Sequence, residues 1–214
     1  RGKVVVLTGG SAGIGKAAAR LFAEEGAHVV IAGRNAETLE KAAKELRAET
    51  HAKVEPVVCD IRDPNAIEAL LARAAEIFGG IDVVVNNAGA ALPKSYEAAT
   101  DQDWHEALGY KLLGYVHTAV KALPYLRLRG GGRIINVTGS AGREPNPWTT
   151  STGIINAGLG NFTKTLSSQV AKDNILVNAV SPGPIDTGRW TNITGGQRQA
   201  ADNLLAQVPL RRLG

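Results

Sequence analysis

Residues 8–15, Thr-Gly-Gly-Ser-Ala-Gly-Ile-Gly, follow the apolar run Val4-Val5-Val6-Leu7 and lead into a helical pattern. A buried strand feeding a glycine turn into a helix makes a phosphate cradle, because backbone N–H groups approach the anion closely and the helix N-terminus adds partial positive charge. Three chemistries share these letters. Gly10 to Ala17 nearly spells the mononucleotide loop G-x-x-x-x-G-K-S/T, with Lys16 in place but Ala17 where a magnesium-holding hydroxyl belongs. Gly9 to Gly13 also spells a nucleophile elbow, G-x-S-x-G, around Ser11; the histidine of such a triad follows late in the chain, and the last histidine here is His117. In the third reading Gly9, Gly13 and Gly15 form G-x-x-x-G-x-G, a dinucleotide turn more loosely spaced than G-x-G-x-x-G.

Other chemistry-bearing residue types are sparse. His28, His51, His105 and His117 show no metal-ligand spacing, so no metal centre is expected. The single Cys59 closes the run Val57-Val58-Cys59, reads as a buried strand residue and excludes an intramolecular disulfide, as suits a reducing cytoplasm.

The elements that must position the glycine turn alternate. Apolar runs at Val4–Leu7, His28–Ala32, Val54–Cys59, Ile81–Val85, Arg133–Thr138 and Ile175–Val180 read as strands. Gly15–Gly26, Ala36–Thr50, Pro64–Phe78, Asp103–Leu128 and Thr152–Lys172 read as helices, with Asp63-Pro64 as a start signal. This pattern predicts an α/β fold, a doubly wound, mostly parallel Rossmann-type sheet with helices on both faces. At 214 residues with 44% hydrophobic content, one domain is expected. The net charge of +4 is dispersed among 20 acidic residues, and the one basic cluster, Arg129-Gly-Gly-Gly-Arg133, reads as a turn, so no nucleic-acid partner is expected. Only four apolar residues follow Arg1-Gly2-Lys3 and no apolar segment reaches bilayer length, which predicts a soluble cytoplasmic protein with no membrane partner.

In such sheets ligands bind beyond the carboxyl ends of the strands. Gly33 and Arg34 follow the second strand, Asp60 and Ile61 the third, Asn86-Asn87-Ala88-Gly89 the fourth, and Ser181-Pro182-Gly183-Pro184-Ile185 the last. With these stretches in order, the chain resembles the short-chain dehydrogenase/reductase family of NAD(P)-dependent oxidoreductases over essentially its whole length. The resemblance implies that Gly9, Ser11, Gly13 and Ile14 meet the cofactor pyrophosphate and Asp60 and Ile61 the adenine. It further implies that Asn87, Ala88 and Gly89 meet the ribose region, and Pro182, Gly183 and Ile185 the nicotinamide. Family members that use NAD often carry an acid at the end of strand two; here Gly33 stands there and Arg34 follows, which suits a 2′-phosphate. The expected cofactor is NADP(H), with NAD(H) as the alternative.

The family's chemistry is carried by Asn, Ser, Tyr and Lys, the last two spaced Y-x-x-x-K, and all four positions depart here. Aligned on Asn161-Phe162-Thr163-Lys164, Thr152 stands for the tyrosine and Asn156 for the lysine. Gly139 stands for the serine, between Thr138 and Ser140, and Lys111 replaces the helix asparagine. A threonine hydroxyl has a pKa far above the roughly 10 of tyrosine and is a poor proton donor or acceptor at neutral pH. Lys111 is the candidate replacement, an ammonium able to stabilise a developing alkoxide and donate a proton. Thr138, Ser140 or Thr152 then orients the carbonyl, and Asn156 bonds a cofactor ribose hydroxyl. Two classes of function follow: an oxidoreductase acting on a small alcohol or carbonyl compound through a remodelled site, or a nucleotide-binding protein without redox activity, serving as a sensor or inactive subunit.

Small residues on the two long helices, Ala157, Gly158 and Gly160 among them, together with the resemblance, imply a homodimer or homotetramer. Residues 186–207 are expected to form a substrate lid near Trp148 and Trp190. Family members usually continue through another helix and strand beyond the position of Gly214.

Overall fold

The computed structural model describes residues 1–89, 94–145, 150–187, 205, 206 and 208–214. Six strands, β1 (Val4–Thr8), β2 (His28–Gly33), β3 (Val54–Val58), β4 (Val83–Asn86), β5 (Gly132–Val137) and β6 (Ile175–Val180), pair in parallel in the order β3-β2-β1-β4-β5-β6. The helices are α1 (Gly13–Glu24), α2 (Ala36–Thr50), α3 (Pro64–Phe78), α4 (Asp101–Ala107), α5 (Gly114–Leu128) and α6 (Thr150–Val170).

The central strands read as unbroken apolar runs because they are covered on both faces, and the pleat sorts their side chains. Val6, Val30, Val84 and Ile134 share a core with α3, α5 and α6, while Val5, Leu7, Val29 and Ile31 share one with α1 and α2. The chain runs outward from β1 in one direction and from β4 in the other, so their carboxyl ends flank the crevice where ligands bind. Local capping fixes the helix starts: the Asn35 side chain accepts from Thr38 N at 2.9 Å, and that of Asp63 from Asn65 N at 2.8 Å. Helix α1 differs. Ala12 at its N-cap offers no side-chain acceptor, so no cap consumes the first-turn N–H groups beside the crevice.

The helix expected over Asp103–Leu128 is divided. After α4 the backbone widens into a π-helical segment, Leu108–Leu113, before α5 begins. Apolar periodicity is blind to such a turn, since the segment contributes no fully buried residue of its own. Helix α6 begins at Thr150, two residues before the expected start.

At the opposite end of the sheet, buried Asp82 accepts from Lys3 Nζ at 2.8 Å, Val4 N at 2.9 Å and Arg129 Nη2 at 3.2 Å. Arg129, part of the basic cluster seen in the sequence, thus ties the end of α5 to β4. Burial pushes the Asp82 carboxyl up, but the hydrogen bonds from Lys3, Val4 and Arg129 outweigh it and hold the group below the usual carboxylate range. Asp82→Ala is expected to cost about 2 kcal/mol, the scale of hydrogen bonds to a charged group. That corresponds to roughly 6 °C in the thermal midpoint for a domain of this size. A depressed carboxyl stabilises above its unfolded value and loses that stabilisation as pH falls through the native value. The variant's midpoint should therefore fall less steeply in acid, measured by circular dichroism from pH 7 downward.

Candidate active site

The glycine turn closes on the ends of β2 and β4. Gly9 N–H donates to Ala32 O at 2.7 Å, and Gly9 O accepts from Asn87 Nδ2 at 3.1 Å. Gly9 has φ +72°, and a Cβ there would lie 2.8 Å from Ala88 Cα, so only glycine fits both the backbone and the space. Thr8 Oγ1 accepts from the N–H groups of Asn87 (3.0 Å) and Ala88 (3.2 Å), which locks the two strand ends together. Gly13 and Ile14 begin α1, and Thr187, after β6, lies against Gly13.

Beside this turn is a cavity of about 490 Å³ lined by Gly9, Ser11, Gly33, Arg34, Ile61 and Ala88, together with Ala32, Asn35, Thr38, Cys59 and Tyr110. Its size is that of a small-molecule site. The Arg34 guanidinium sits 4.9 Å from the centroid of the Tyr110 ring, stacked on an aromatic face that holds it at the cavity wall. Asp60 is forked by Arg62, whose Nε is 3.0 Å from each carboxylate oxygen, and the Arg62 hydrogen bond is the main cause of its lowered pKa. Uncapped helix amides, a guanidinium and the apolar walls Ile61 and Ala88 fit a dinucleotide with an additional phosphate on its adenosine half.

At the carboxyl ends of β4 and β5, the Lys111 stem passes over Gly89, where a Cβ would lie 3.0 Å from Lys111 Cδ. Its ammonium donates to Thr138 O at 3.1 Å and Asn156 Oδ1 at 3.0 Å, and lies 5.8 Å from the Tyr115 ring centroid. Asn156 is 4% exposed and gives its amide oxygen to Lys111. The Thr138 hydroxyl is 2.7 Å from Ser181 Oγ and 3.1 Å from Val180 O, so Thr138 reaches Lys111 through its carbonyl. Ser140 N–H donates to Pro182 O at 3.2 Å, joining the turn after β5 to the segment after β6. Gly183 is open to its surroundings, whereas Ile185 is flanked by residues that pair with Gly214: Asp186 N–H donates to Gly214 O at 2.9 Å and Gly214 N–H to Pro184 O at 3.1 Å. Thr152 sits one turn before Asn156 on α6, half-buried and on the same side. The structure thus brings Lys111, Thr138 and Asn156 into direct contact, with Ser140 and Thr152 on the adjoining elements. Trp148, Trp190 and most of the expected lid, 188–204 and 207, lie outside the described residues.

Several site features escaped the sequence. Tyr110 carries no local signal, because the π-helical turn brings it under Arg34. Asn35 and Thr38 were hidden in a capping pattern. Lys16, which suggested a mononucleotide loop, is paired with Glu45 of α2. Cys59 lines the cavity just beyond β3. Burial, and then the charges of Asp60 and Asp63, push its thiol up to about 11. The thiolate is the reactive form, so iodoacetamide at pH 8 is expected to leave native Cys59 unmodified and to label it on unfolding, as read by intact mass.

The profile described as short chain dehydrogenase matches residues 3–198. The chain belongs to that family. It is 34% identical over 213 residues to the 3-oxoacyl-(acyl-carrier-protein) reductase FabG of Thermotoga maritima, spanning 100% of this chain and 85% of that one. An uncharacterized oxidoreductase of Staphylococcus aureus is 34% identical over 185 residues, 86% of this chain and 79% of that one. Among solved structures, L-sorbose reductase from Gluconobacter frateurii, complexed with NADPH and L-sorbose, superposes with a TM-score of 0.93 at 32% identity, covering 99% of this chain and 84% of that one. An actinorhodin polyketide ketoreductase with NADPH gives 0.94 at 31% identity, covering 99% and 85%. The six-stranded parallel sheet and flanking helices are those of this family's Rossmann-type fold, and the chain is an oxidoreductase by membership. No helix among the described residues is long and apolar enough to cross a membrane, and among them no three His, Cys, Asp or Glu side chains group as metal ligands.

Proposed function

We propose that this protein is an NADP(H)-dependent oxidoreductase that reduces a small carbonyl compound, or oxidises the corresponding alcohol, through a site in which Lys111 takes over proton transfer. The observation that carries this reading is the Lys111 ammonium, fixed by Thr138 O and Asn156 Oδ1 at the strand ends that flank the dinucleotide cradle. When bound, the cofactor would supply the hydride for the carbonyl carbon. Gly9, Ser11, Gly13 and Ile14 hold its pyrophosphate, and Arg34 and Tyr110 the phosphorylated adenosine end, with Asp60 and Ile61 beside the base. Asn87, Ala88 and Gly89 shape the ribose region, and Pro182, Gly183 and Ile185 the nicotinamide region. NAD(H) fits the same cradle without using Arg34.

Lys111 hydrogen-bonds the substrate oxygen; as the C=O π pair moves onto oxygen, one ammonium proton follows it and the O–H bond forms. The neutral amine then recovers a proton from water. The Ser140 and Thr152 hydroxyls orient the carbonyl, and Thr138 anchors Lys111 through its own carbonyl. Copies of the chain pair through the outer faces of α5 and α6, where Val120 and Ile154 are exposed. The test follows NADPH absorbance with a panel of ketones, aldehydes and sugars: oxidation dependent on one substrate class is expected. Tight NADPH binding with no oxidation across the panel would instead indicate a nucleotide-binding protein without redox activity.

A further inference from the structure

Gly139 follows β5 with a φ of 176°, extended backbone that any residue adopts, so conformation does not explain a glycine there. Its neighbour does. A Cβ at 139 would lie 2.8 Å from Asn156 Nδ2, and the three nearest atoms all belong to the Asn156 carboxamide. Gly142 meets the same residue: a Cβ there would lie 2.7 Å from the Asn156 carbonyl carbon and 2.9 Å from its Cβ. The turn after β5 therefore closes around Asn156, which is 4% exposed and directs Oδ1 at the Lys111 ammonium.

We propose that Asn156 is a positioning residue for Lys111, and that Gly139 is the recess that seats its carboxamide. The proposal rests on the reading of Lys111 as the proton donor. A lysine stem is flexible and its ammonium is a compact point charge with rotatable donors. Two carbonyl oxygens, one from Thr138 just after β5 and one from Asn156 on α6, hold it from different parts of the fold. The Thr138 carbonyl belongs to the backbone and is present whatever side chain stands at 138. Asn156 is the half of the clamp that a substitution removes, and its oxygen has one orientation only while the amide nitrogen occupies the space over Gly139.

Lys111, Gly139 and Asn156 act as one unit, and a double-substitution cycle reads the link between them. Asn156→Ala is expected to lower kcat about tenfold, the scale of one hydrogen bond to a charged group. Gly139→Ala, which displaces the carboxamide without removing it, is expected to do the same. The combined variant should be no worse than Asn156→Ala alone, because the added methyl enters space the carboxamide has left. Two measurements on ligand-free protein need no turnover. Thermal midpoints should show the same non-additivity, and trinitrobenzenesulfonate should label Lys111 faster in both single variants, mapped by peptide mass. Additive losses in kcat and midpoint would overturn the recess. Unchanged kcat and labelling in Asn156→Ala, with Lys111→Met inactive, would overturn the positioning role alone. Unchanged turnover in Lys111→Met would overturn the donor reading and this role with it.

Discussion

Lys111→Met is expected to reduce kcat for carbonyl reduction by roughly 10²-fold or more, the usual contribution of a positioned general acid, with NADPH affinity retained. Methionine keeps an unbranched apolar stem over Gly89 and beside the Tyr115 ring but removes the ammonium that donates to Thr138 O and Asn156 Oδ1. Loss in kcat with an unchanged cofactor dissociation constant identifies a group used in the transition state rather than in binding. Lys111→Arg separates two parts of the effect. A guanidinium preserves positive charge near a developing alkoxide, but it does not give up a proton at neutral pH. If charge alone matters, Arg restores most of the turnover; if proton transfer matters, it restores little, and the second result is expected. Turnover equal to the parent in Lys111→Met, measured on an identified substrate by stopped-flow absorbance, would remove Lys111 from the chemistry.

The alternation of strands and helices was legible because each signal was local. Parallel strands buried on both faces read as continuous apolar runs, and α2 and α3 began and ended at the residues expected, Ala36–Thr50 and Pro64–Phe78, with Asn35 and Asp63 as caps. The glycine turn was legible for the same reason, since its strand, turn and helix are contiguous. The chemical end of the site was legible only as a set of departures. Nothing local indicates that Lys111 meets Thr138, 27 residues on, or Asn156, 45 residues on. Gly139 read as a lost serine; in the fold its missing side chain is matched to the carboxamide of Asn156. The π-helical turn was invisible to a search for 3.6-residue periodicity, and Tyr110 with it. Local rules located the cradle, while the contacts that orient its neighbours depend on register and helix packing.

Arg34→Ala is expected to raise the NADPH dissociation constant about 10- to 100-fold, as for loss of charge-assisted hydrogen bonds to a phosphate, and to leave NADH binding nearly unchanged. Arg34 follows β2 directly after Gly33, where no carboxylate competes for a ribose hydroxyl, and its guanidinium is stacked at 4.9 Å on Tyr110 at the cavity wall. The nearby acid, Asp60, is forked by Arg62, so its charge is opposed before a phosphate arrives. Charge at this site also makes a salt signature: raising ionic strength weakens NADPH binding more than NADH binding in the parent, and the difference shrinks in Arg34→Ala. Tyr110→Leu removes the aromatic face under the guanidinium and is expected to shift NADPH affinity in the same direction by a smaller factor. Fluorescence titration of both cofactors against the three proteins reads all of these terms. Equal affinities for NADPH and NADH in the parent, unmoved by Arg34→Ala, would mean that the 2′-phosphate is not recognised at the end of β2.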